Sequence, residues 1–172
     1  MSPAHIHLML NHVPVIGLLF AMLLLVYGLA RKSTEVARAS FLMYVLVALA
    51  TIAVYFSGRG AEDIVENLPE VSEAMMAMHE DAALVSLTAI LIVGVAALAG
   101  FIFVRSKPIS RKLAVLVLVL SLLAGLSVGY TGSLGGKIHH PELRPGFVPP
   151  PERSQPHESR LPSGSRVHDA VE

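Results

Sequence analysis

Cysteine and tryptophan are absent from this chain of 172 residues, and charge is scarce: Lys, Arg, Asp and Glu together make up 15%. Without cysteine there is no disulfide, no thiolate-ligated cluster and no covalent haem attachment through a CxxCH motif. The formal net charge is zero, so nothing argues for a nucleic-acid partner. Also missing are a Ser-His-Asp arrangement, a phosphate-binding glycine loop and an HExxH pattern. Hydrolytic and nucleotide-driven chemistry have no support, and an enzyme acting alone is not expected.

What the chain has in excess is apolar length. Hydrophobic residues make up 53%, gathered into blocks at about 12–30, 39–57, 80–104 and 113–133. Each is near the ~20 residues that cross ~30 Å of hydrocarbon as a helix. The expected fold is all-α: an integral membrane four-helix bundle running up-down-up-down, with helices at about 5–30, 39–57, 70–104 and 112–133 in one domain over 1–140. No Lys or Arg precedes the first block and no small-residue cleavage site follows it, so it reads as a retained helix. The stretch 141–172 holds seven of the eleven prolines and reads as a disordered tail whose His157 and His168 are solvated.

Basic residues set the expected orientation. Arg31, Lys32 and Arg38 lie between the first two blocks, and Arg105, Lys107, Arg111 and Lys112 between the last two. Those loops are expected in the cytoplasm, with both termini and the acidic 58–79 loop outside. Bacterial cytoplasmic membrane is the expected location. In the outer loop Ile64, Leu68, Val71, Met75 and Met78 recur at helical spacing, which suggests an amphipathic helix at the interface, parted by Pro69 from the third block. Small residues in the blocks (Gly17, Gly28, Gly94, Gly100, and Gly125 with Gly129 in "GLSVG") fit close helix packing. No internal repeat is strong enough to argue from.

The histidines carry the functional signal. Counting helical rise from Arg31 puts His12 about 28 Å up, at the edge of the hydrocarbon, while His5 and His79 lie about 39 Å from their basic anchors, at headgroup depth. His7 shares the headgroup zone, and His139 and His140 follow the last block on the same side. Six of the eight histidines thus gather on the outer face and none lies in a basic loop. Any one of them can serve merely as a helix cap or a headgroup contact, but a set drawn from three helix ends points to a site. His12 precedes Pro14, which kinks the helix, and His79 precedes Glu80 and Asp81, carboxylates suited to orienting an imidazole.

Three chemistries fit a histidine cluster without cysteine. A b-type haem needs two neutral imidazoles from different helices, on opposite sides of a macrocycle in an apolar bundle. A Cu or Zn site needs three or four convergent donors; Met75, Met76 and Met78 beside His79 add a soft flavour suited to Cu(I). The third is no cofactor at all, the histidines capping the helices of an anchor or assembly subunit.

"HLMLNHVPVIG" resembles the His-x4-His-x-Pro start of the bacterial membrane family catalogued as domain of unknown function 2231, the match falling on His7, His12 and Pro14. "FSGRGAEDIV" resembles that family's Ser-Gly turn, His79 its third-helix histidine, and "TGSLGGKIHHPELR" its Gly-Gly segment, so the likeness runs from residue 5 to about 144. Leu8, Val13 and the His139–His140 pair depart from the pattern. The resemblance implies a four-helix membrane module, a suspected haem binder found in places beside respiratory components, and it brings no established activity.

The leading expectation is therefore a haem b protein ligated by His12 and His79, with His7, His5, His139 and His140 as further candidates. It is expected to transfer electrons at the outer face with a redox protein partner, as part of a larger complex or oligomer among membrane lipid. The alternative is a Cu or Zn accessory protein using His5, His79, His139 and Glu80.

Overall fold

The computed structural model describes residues 2–65, 71–103, 109–144 and 146–148. Five α-helices and a 3-10 turn follow one another: α1 Pro3–Leu10, α2 His12–Ala30, α3 Thr34–Val65, α4 Glu73–Phe103, α5 Arg111–His139, and the turn Pro141–Leu143. Helices α1 and α2 together form the first apolar span, and α3, α4 and α5 the other three, each long and apolar enough to cross a membrane. The protein is an all-α four-helix bundle with the composition of a multi-pass membrane protein. Consecutive helices are neighbours, and α2 against α5 closes the ring.

Around each helix a narrow buried stripe alternates with a broad apolar surface. On α2 the buried residues are Pro14, Leu18, Ala21, Leu25 and Gly28, a spacing of three and four residues that keeps one seam inward. Leu19, Phe20, Leu23 and Val26 on the other side are exposed, as expected of a helix apolar all round in contact with lipid. Phe41, Tyr44, Ile90, Val93 and Val117 fill the core toward the two basic turns. Hydrogen bonds stitch the helices there: Ser40 Oγ donates to the Ala21 carbonyl at 3.0 Å and Tyr44 Oη to Ser121 Oγ at 3.0 Å. Such bonds contribute about 0.6 kcal/mol each in a membrane bundle.

The small residues divide into two groups. A methyl group at Gly94 would meet Ala48 Cβ at 2.5 Å, one at Gly28 the Ala37 backbone nitrogen at 2.9 Å, and one at Gly17 Val47 Cγ2 at 2.7 Å. These glycines set helix separation. In "GLSVG", Gly125 has only ordinary contacts and Gly129 none within 4 Å, so that pair plays no part in close packing within the chain.

Two features differ from the expected outline. The first span is interrupted in its hydrogen bonding: Pro14 has no N–H to give the Leu10 carbonyl, so α1 ends at Leu10 and Asn11, itself in right-handed helical conformation, joins it to α2. The second helix runs on from its expected end near 57 to Val65, taking in Ile64, because a continued helix keeps its backbone hydrogen bonds satisfied, while α4 begins at Glu73, close to the expected 70. Leu68 and Pro69 lie outside the described residues, as do 149–172 with His157 and His168.

Candidate cofactor site

Asn11 keeps right-handed helical dihedrals (φ −60°, ψ −23°), so α1 follows on from α2 and packs, as α2 does, along α3. Ser2 caps α1, its Oγ accepting the His5 backbone N–H at 3.3 Å, with Pro3 in the first turn. Pro3 then sits over Gly60, where a methyl group would approach its Cβ to 3.2 Å. This docking brings His7 to the flank of α3. Its Nδ1 lies 3.2 Å from the Val54 carbonyl and 3.2 Å from Ser57 Oγ. The Ser57 hydroxyl donates to the same Val54 carbonyl at 2.8 Å, so the imidazole N–H supplies the remaining proton to this group of acceptors.

His79, on α4, repeats the device on α5, with Nδ1 3.0 Å from the Thr131 carbonyl. A carbonyl can only accept. Each ring therefore carries a proton on Nδ1, which in the neutral imidazole leaves the lone pair on Nε2, the tautomer that ligation through Nε2 needs. Thr131 is itself fixed, its Oγ1 bonded to Ser86 Oγ at 2.9 Å and to the Ser127 carbonyl at 3.1 Å.

Each imidazole also has its Cε1–Nδ1 side against a glycine four residues after its carbonyl partner. A methyl group at Gly58 would lie 3.0, 3.3 and 3.8 Å from His7 Cε1, Nδ1 and Nε2; one at Gly135 would lie 3.1, 3.4 and 3.8 Å from the same atoms of His79. The two settings are near copies. Both histidines line one cavity of about 600 Å³ at the end of the bundle away from the basic turns. That volume lies within the roughly 300–1,000 Å³ of small-molecule and cofactor sites. Deep in the bundle the walls are Leu87, Ile90 and Val128, while Arg59, Glu62, Glu80 and His140 line its outer part. Asn11 also lines it, and its Oδ1 is buried without a hydrogen-bond partner.

The other sequence candidates fall outside this pairing. His12 heads α2, exposed, and reaches the cavity margin without a hydrogen bond of the kind that fixes His7. His5 is exposed on α1, and His139 ends α5 with a side chain outside the described residues. His140 is exposed and contacts Glu142, Nδ1 to Oε1 at 2.8 Å. The Glu142 carboxyl is held below the usual carboxylate range, first by its own backbone N–H and then by His140. Glu80 is half-buried at the cavity, but the group that orients His79 is the Thr131 carbonyl rather than a neighbouring carboxylate. Among the described residues no three His, Asp or Glu side chains gather into a metal-binding group.

Comparison with known protein families, with curated proteins and with solved structures gives no match.

A b-type haem fits what is present. Two neutral imidazoles from different helices, each with Nδ1 tied to a backbone carbonyl, face a cavity of cofactor size with apolar depth. The glycines at 58 and 135 leave room for the rings where any larger residue would press on them.

Proposed function

We propose that this is a multi-pass membrane protein that holds a b-type haem between His7 and His79 and passes electrons at the outer, periplasmic face of a bacterial cytoplasmic membrane, with a redox protein as partner. The observation that carries this reading is the duplicated setting of the two imidazoles, each with its Nδ1–H on a helix carbonyl and its Cε1–Nδ1 side against a glycine. Haem supplies a one-electron couple in an apolar site. The chain's own residues orient the rings, keep Nε2 unprotonated and exclude water with Leu87, Ile90 and Val128. The family resemblance, which falls on His7, His12 and Pro14 and extends to His79 and the Gly-Gly segment, implies a suspected haem binder and supports the haem reading.

An oxidised and a dithionite-reduced spectrum of protein purified with haem available tests it. A Soret band of the low-spin, bis-imidazole type is expected, lost or shifted in His7→Ala and in His79→Ala and largely kept in His12→Ala. Protein that neither carries nor acquires a Soret band on haem addition removes the proposal.

Copper is the second reading, favoured by Met76, a buried residue lining the cavity one helical turn before His79. Met76→Leu separates the two: it abolishes a copper site built on His7, His79 and the thioether, and it leaves a haem spectrum in place.

A further inference from the structure

We propose that Arg59 is the anchor for an anionic group at the rim of the cavity, so that its occupant binds with an apolar body inward and its carboxylates beside α3; the inference rests on the haem reading and adds which way round the ligand sits. The cavity has a polarity gradient along its length. Ile90 lies about 16 Å further along α4 than His79, in surroundings of Leu87 and Val128, whereas the charged residues stand at the other end. A ligand with one apolar and one ionised edge has a single favourable orientation in such a space.

At the charged end Arg59 is the one permanent cation among the residues lining the cavity. It follows Gly58, the residue that receives the His7 ring, so its position along α3 is tied to that of the ligating imidazole. It is exposed, and it forms no ion pair among the described residues. The other ionisable groups lining the cavity there are Glu62, Glu80, His12 and His140. Without Arg59, a dianionic ligand edge placed at this rim would meet no Lys or Arg side chain among the lining residues. With it, a planar guanidinium offers paired donors to a carboxylate, the geometry in which arginine outperforms lysine.

The test compares protohaem with its dimethyl ester, in which both carboxylates are neutralised while the macrocycle and iron are unchanged. Each is titrated by Soret absorbance into the haem-free full chain in detergent micelles, for the unaltered protein, Arg59→Gln and Arg59→Lys. The unaltered protein is expected to prefer the free acid by about three- to tenfold, the range of a partly exposed charge-assisted contact. Arg59→Gln should lose that preference while keeping its affinity for the ester, and Arg59→Lys should keep part of it. An equal preference in Arg59→Gln and the unaltered protein overturns the assignment. Binding of neither compound, in a protein that remains helical, removes the haem reading and this inference with it. Good binding of both without discrimination leaves the haem reading standing and overturns the role of Arg59 alone.

Discussion

A histidine is oriented by what holds its Nδ1, and for His7 and His79 backbone carbonyls do so. A methyl group at Gly58 or Gly135 must displace the imidazole by a few tenths of an ångström, because the added atom would lie 3.0 or 3.1 Å from Cε1. Gly58→Ala and Gly135→Ala are therefore expected to weaken haem retention and to shift the low-spin spectrum, with helix content unchanged by circular dichroism. An unaltered spectrum in both would mean that the glycines have no bearing on the rings. A separate residue-scale effect lies at the Glu142–His140 contact. The folded carboxyl is depressed, so the contact is present above the unfolded carboxyl's range and lost as pH falls through the lowered folded value. Loss of the 2.8 Å contact at acid pH is expected in the His140 side-chain nitrogen resonances. Of this site the histidines were legible in the sequence, since imidazoles are rare at a membrane entry. Their partners were not: the Val54 and Thr131 carbonyls belong to every residue type, and nothing in "YFSGRG" or "SLGGKI" marks which glycine faces a ring.

At the scale of helices, the apolar blocks gave number, order and direction, because membrane length leaves few alternatives. Their ends were harder to read, since "GRGAEDIV" is polar and contains two glycines yet stays helical as part of α3. Pro14 was legible as a kink; the structure shows it only as a one-residue interruption at Asn11, which stays in helical conformation. Counting rise along the helix favoured His12 for its depth; both His7 and His12 line the cavity, and what sets His7 apart is that α3 holds its imidazole. The glycines offer a test of packing. Gly94→Ala would put a methyl group 2.5 Å from Ala48 Cβ, which cannot rotate away, so α3 and α4 must separate. A loss of about 1–3 kcal/mol is expected in detergent unfolding. Gly129→Ala, with nothing within 4 Å, should stay within about 0.5 kcal/mol of the unaltered protein.

The whole molecule divides into two helical hairpins, α1–α2 with α3 and α4 with α5, and each contributes one histidine by the same arrangement of carbonyl and glycine. The repetition escapes the sequence because it lies in the register of three atoms and one absent side chain, while the flanking residues differ. The proposed orientation is also testable at this scale. With no native cysteine, single Lys32→Cys and Val148→Cys variants report sidedness without a background. Labelling of intact cells by an impermeant maleimide is expected at position 148 and not at 32. The reverse pattern would put the histidine end inside the cell and remove the periplasmic assignment.

Helix α1 buries none of its own residues, yet it packs along α3, with His7 bonded to the Val54 carbonyl and Pro3 over Gly60. If His7 and His79 share one iron, the cofactor would tie this amino-terminal helix to α4 as well, so that loading would staple one hairpin to the other.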